Sequence, residues 1–163
     1  MTRAIALLVL SISLAGAHRV GSAGVTVTLP PHWRAISVGT PPPGAHISDP
    51  VTRLVVASAP IRFGRGCNEL DYKFASSGVA IVVVEWTGRT PATKWQSRPR
   101  RFTARTLPIA QPPALECWRG PGGGTQFADH GRRLAVFVLV GPGAATALVR
   151  RARAVLDTLH VQP

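Results

Sequence analysis

Eight consecutive residues, Val79 to Trp86 (VAIVVVEW), constrain this chain more than any other stretch. β-Branched side chains are stiff at χ1 and pack well on a pleated surface, so the run reads as a strand. Its apolar residues do not alternate with polar ones. A strand that is apolar on both faces has to be covered on both faces. Glu85 sits inside this run, beside Trp86. A carboxylate there is at a water-facing edge or paired with an arginine; buried without a partner, its pKa would rise and it could act as an acid. The solvated or Arg-paired state is the expectation, because one acid without a partner is not a catalytic site.

Other segments surround this strand. Val25 to Leu29 (VTVTL) alternates apolar residues with Thr, the pattern of a half-buried strand. Pro30 and Pro31 end it, and Trp33 is expected to fold back onto the core. Residues Pro30 to Pro50 hold six of the fifteen prolines and read as a loop. Arg53 to Ala59 reads as a strand. Cys67 to Ala75 (CNELDYKFA) reads as a short helix, with Leu70 and Phe74 on one face and Gly78 as a stop. Further strands are expected at Phe102 to Thr106, Leu115 to Trp118, Thr125 to Ala128 and Leu134 to Val140, with Asp129-His130-Gly131 as a hairpin turn. Gly141-Pro142-Gly143 breaks the last strand. Ala144 to Leu159 then has helical periodicity, with Leu148, Ala152, Val155, Leu156 and Leu159 on one face. Two helices and about seven short strands give an α+β fold. The expected architecture is one antiparallel sheet of about six to seven strands, with the short helix and the C-terminal helix packed on one face.

The start of the chain reads as an export signal. Arg3 is followed by Ala4 to Leu14, eleven residues of which nine are apolar. That length suits a signal-peptide core and falls short of the roughly 20 residues that span a bilayer. Small residues at −3 and −1 then fit cleavage after Ala17 or after Ala23. Taking the later site, residues 1–23 are the signal peptide and 24–163 form a single exported domain.

Export bears on the two cysteines, Cys67 and Cys117. In an oxidising compartment a lone pair is expected to form a disulfide. The loop it closes is about 50 residues, for which chain entropy gives roughly 4 kcal/mol. Two cysteines also rule out a four-thiolate zinc site.

Catalytic signatures are missing. Cys117-Trp118 matches the Cys-Trp pair of papain-like proteases, but the Gly-x-Cys lead-in is absent. No Gly-x-Ser-x-Gly, Ser-x-x-Lys, His-x-His, His-Glu-x-x-His or Cys-x-x-Cys occurs. The Gly-rich stretch Gly120 to Thr125 has no Lys after it, and Pro121 removes a backbone donor. It reads as a flexible connection between strands, not a phosphate-binding loop. No metal site and no cofactor are expected.

Charge is the remaining signal. Nineteen Lys plus Arg oppose seven Asp plus Glu, for a formal +12, and seventeen of the cations are Arg. A cationic surface attracts anionic polymers and headgroups. Arg98, Arg100 and Arg101, together with Arg132 and Arg133, are the candidate anion-binding residues; Arg150, Arg151 and Arg153 form a third cluster. No fold signature of a nucleic-acid module accompanies them, so specific nucleic-acid binding is not expected.

Trp33 after a first strand, Glu85-Trp86, Pro99-Arg100-Arg101-Phe102, Glu116-Cys117, Phe127 to Arg132 and Ala154 to Leu159 resemble a group of small uncharacterised exported proteins of GC-rich bacteria. That resemblance implies export and a pair of cysteines. The strand-Pro-x-x-Trp opening and the closing helix are also similar to the PsbP/Mog1-like fold, which implies a sheet packed on helices in a binding or assembly role. The resulting expectation is an exported cell-envelope or secreted domain, a non-enzymatic binding or assembly module. Its partner would be an anionic envelope polymer or another protein, and after cleavage it would not be an integral membrane protein. Two alternatives stand beside it. An envelope hydrolase would draw its acid and base from Glu85, Asp129, His130 or His32. An Arg-rich polyanion binder would carry Arg98, Arg100, Arg132 and Arg150 on one continuous face.

Overall fold

A computed structural model describes residues 16–37, 50–64, 71–88, 94–109, 113, 115 and 118–163. Among them are ten strands and one helix: β1 (His18–Ser22), β2 (Val25–Leu29), β3 (Arg34–Ala35), β4 (Val51–Ala57), β5 (Ile61–Gly64), β6 (Asp71–Phe74), β7 (Val79–Glu85), β8 (Gly122–Asp129), β9 (Arg132–Val140), α1 (Thr146–Asp157) and β10 (His160–Val161). They form a five-stranded sheet ordered β3-β4-β7-β9-β8, a three-stranded sheet ordered β1-β2-β10, and the β5-β6 pair. Every named pairing is antiparallel. The α+β class holds, with the strands divided among several sheets.

β7 is the middle strand of the larger sheet, and all seven of its residues are buried. Val79, Ile81 and Val83 face one core with Leu54, Val56, Leu134, Val136 and Val138. Ala80, Val82 and Val84 face a second with Val55, Ala57, Ala135, Phe137 and Leu139. Burying a valine side chain contributes about 1.5 kcal/mol or more. The four valines of β7, Val79, Val82, Val83 and Val84, therefore contribute to both cores at once.

The first core is covered by α1, through Ala152, Val155 and Leu156, and by β2, through Val25, Val27 and Leu29. Trp33 closes one side at 4% exposure, as its position after the proline pair predicts. No side chain caps the N-terminus of α1, so packing of its apolar face holds the helix. At its other end the Thr158 hydroxyl donates to Val155 O at 2.7 Å and accepts Thr28 N–H at 2.8 Å, which ties helix to β2.

Several expectations need correction. Asp71–Phe74 is a strand paired with β5, not the end of a helix; Cys67 to Leu70 lie outside the described residues. The apolar spacing read there as i, i+4 also fits a strand, and the pairing Ile61↔Phe74 to Gly64↔Asp71 decides it. Phe102 to Thr106 is a turn, closed by Leu107 N–H donating to Thr103 O at 2.9 Å and by the hydroxyls of Thr103 and Thr106. The sheet extension lies just upstream, where Ser97 bridges Ala128 in parallel. Leu115 and Trp118 are not in a strand; Trp118 N–H turns back to Leu115 O. Gly122 to Thr125 of the Gly-rich stretch are in fact the first half of β8. Its glycines admit neighbouring backbone, since a Cβ on Gly123 would lie 1.9 Å from Pro108 O. β1, His18–Ser22, lies between the two cleavage positions that the sequence offers.

Candidate functional site

Glu85 ends β7 at 8% exposure. A β-bulge in β4 makes Arg53 the extra residue between Thr52↔Val84 and Leu54↔Val83. Arg53 Nε then donates to Glu85 Oε2 at 2.6 Å. On the other side, Arg132 opens β9 and donates through Nε to Oε1 at 2.8 Å and through Nη2 to Oε2 at 2.7 Å. This forked geometry matches carboxylate to guanidinium. The Arg132 hydrogen bonds, ahead of the opposing effect of burial and with help from Arg53, hold the Glu85 carboxyl below its ordinary range. Glu85 is thus an ionised structural partner, and the raised-pKa acid is ruled out.

Arg132 reaches further. Its Nη2 donates to Ala23 O at 3.0 Å and its Nη1 to Gln162 O at 3.4 Å. One guanidinium thereby joins the end of β7, the β1-β2 turn and the chain end beyond β10. Arg133, 8% exposed, donates to Gly88 O.

Between β8 and β9, His130 and Gly131 have φ of 48° and 76°. Two successive positive φ values make a type I′ turn, at the place where the sequence predicts a hairpin turn with Gly131 at positive φ. Asp129, at the start of this turn, lies 2.9 Å from His130 Nδ1 and 3.3 Å from Arg98 Nη1. Arg98 Nη1 also donates to Leu159 O at 2.5 Å. His32 is exposed in the turn after β2, at φ 70°. Asp129 and His130 are brought together as chain neighbours on a turn. Glu85 is enclosed by its two arginines. The set proposed from sequence for a hydrolase does not assemble as an acid–base pair around Glu85.

A second basic region lies along α1. Three contacts stitch the segment from Arg98 to Leu107 beside the helix: Arg98 to Leu159 O, Phe102 N–H to Asp157 Oδ1 at 2.7 Å, and Arg153 Nη2 to Leu107 O at 3.1 Å. Phe102 anchors the segment by packing on Phe127 with ring centroids 5.9 Å apart. Arg100, Arg101 and Arg105 are exposed on it, and Arg150 is exposed on the helical stripe that carries Arg153 and Asp157. Asp157, the acid of this region, is engaged by the Phe102 amide.

Of the candidate anion-binding residues, Arg100 and Arg101 are exposed, whereas Arg98, Arg132 and Arg133 serve internal acceptors. Of the four arginines of the expected continuous face, Arg100 and Arg150 are exposed, and Arg98 and Arg132 bond internal acceptors. Sequence reasoning missed Arg53, whose role depends on a bulge, and Arg105, which sits in a turn read as a strand. Cys67 and Cys117 lie outside the described residues, so their expected bond is not placed. Among the described residues no group of three His, Cys, Asp or Glu could hold a metal ion. No described helix is long and apolar enough to cross a membrane. No protein-family model, curated protein or solved structure matches the chain.

Proposed function

We propose that this chain is an exported, non-enzymatic binding module of the cell envelope that recognises anionic polymer through the arginines beside α1. The observation that carries the reading is the strip of Arg100, Arg101, Arg105 and Arg150, exposed on two elements held side by side. Guanidinium groups fit phosphate, sulfate and carboxylate as forked donors. Export rests on the leader-like Ala4 to Leu14 core and the small residues that follow it. The Cys67–Cys117 disulfide belongs to the same proposal. Leu115 and Trp118, which flank Cys117 in sequence, pack on the second core, as does Ile61 at the start of β5.

Retention on dextran sulfate compared with uncharged dextran tests the binding function. Retention on the sulfated matrix alone, eluted by moderate salt, is expected; passage through both would overturn the reading. Intact mass with and without reductant tests the disulfide. A gain of two hydrogens on reduction is expected, and no change would refute it.

A further inference from the structure

The export signal offers two cleavage positions, and the fold distinguishes them. β1 pairs with β2 over its whole length, from His18↔Leu29 to Ser22↔Val25. Val20 packs against the first core, and Arg19 donates to the Thr26 hydroxyl through Nη2 at 2.8 Å and through Nε at 3.0 Å. The two strands are joined by Ala23 and Gly24, at φ 48° and 76°, in the same type I′ geometry as His130-Gly131. Ala23 O accepts from Arg132, and Gly24 O accepts Gln162 N–H at 2.8 Å. The Ala23–Gly24 peptide is thus a joint between the hairpin, β9 and the chain end.

One of the small residues before that bond also has a packing explanation. A Cβ on Gly21 would lie 2.3 Å from Thr26 Cγ2 and 2.5 Å from Val25 O. Gly21 is required by contact with β2, so it needs no peptidase to explain it. Gly16 and Ala17 precede β1 and are exposed; the strand begins at the next residue.

We infer that the processed bond is Ala17–His18 and that β1 is the first strand of the exported domain. The inference rests on the export reading above. A signal peptidase with pockets for small side chains at −3 and −1 would take Ala15 and Ala17 there. Hydrolysis consumes one water, breaks the Ala17 C–N bond, and leaves a carboxylate on Ala17 and an α-amine on His18. The product, His18 to Pro163, loses one cation, Arg3, and keeps Arg19, so its formal charge is 18 − 7 = +11.

Intact-mass measurement of the protein recovered outside the cytoplasm tests the site. A chain starting at His18 is expected. A chain starting at Gly24, or one retaining Met1, would overturn the inference while leaving export intact; recovery of the protein in the cytoplasm alone would overturn both. Ala17→Leu should abolish processing and Ala23→Leu should leave it unchanged; the opposite result would assign the later bond. A second comparison does not depend on export. Purified His18–Pro163 should melt at least about 5 °C above Gly24–Pro163, and equal melting temperatures would show that β1 is dispensable.

Discussion

Arginines at the Glu85 end of the sheet and arginines beside α1 are the same residue type in opposite situations. Arg53 and Arg132 converge on one buried carboxylate, and Arg132 spends its remaining donors on the Ala23 and Gln162 carbonyls. Arg100, Arg101, Arg105 and Arg150 are exposed, while the Asp157 carboxylate accepts the Phe102 amide. Net charge does not separate the two groups. What separates them is whether a strand end or a bulge aims the guanidinium at an internal acceptor.

Glu85→Ala should produce the largest effect. It leaves Arg53 and Arg132 without their shared acceptor in a half-dry site, a loss of about 3–5 kcal/mol when a buried pair is broken. Urea unfolding measures it; a loss below about 1 kcal/mol would erase the contrast between the two regions.

Arg132→Lys comes next. The ammonium keeps the charge but cannot fork onto Glu85 while also reaching Ala23 and Gln162. A loss of about 1–2 kcal/mol is expected, with the β1-β2 turn amides exchanging faster in hydrogen-exchange measurements.

Acid should act on the Glu85 end of the sheet. The Glu85 pKa is lowered on folding, so its stabilisation is fully present above the ordinary carboxylate value of 4.5 and is lost as pH falls through the depressed one. Unfolding free energy measured across that interval should decline in the wild type. Glu85→Gln should flatten the decline, and an equally steep decline in the variant would assign it elsewhere.

The smallest effect on stability is expected from the quadruple variant Arg100→Ser, Arg101→Ser, Arg105→Ser, Arg150→Ser. Exposed side chains away from caps and networks contribute within about 0.5 kcal/mol each. A loss of several kcal/mol would place these arginines in the same structural class as Arg132.

The sequence carried the apolar skeleton further than the charges. The uninterrupted β-branched run of β7, the Val25-Thr-Val-Thr-Leu alternation and the Gly131 turn each report a local requirement of the backbone. The periodicity of α1 is likewise local, and these elements stand where the pattern puts them. Asp71–Phe74 failed because its spacing suits two geometries and only a partner strand chooses between them. The start of the domain stayed open between Ala17 and Ala23, because a glycine that packing on β2 requires resembles one that a peptidase accepts. For Glu85 the sequence left a water-facing edge or an arginine partner open. Which arginine was not legible, because Arg53 and Arg132 lie 32 and 47 residues away along the chain.

The central claim is that anion recognition belongs to the strip beside α1 and that the Glu85 end of the sheet is structural. Affinity for dextran sulfate, titrated against sodium chloride, tests it most directly for the wild type, the quadruple variant and Arg132→Lys. The account predicts that the quadruple variant loses most of the affinity and most of the salt dependence, because each ionic contact removed lowers the counter-ion release, while Arg132→Lys keeps both at temperatures where it is folded. An unchanged salt slope in the quadruple variant, or its collapse in Arg132→Lys, would contradict it.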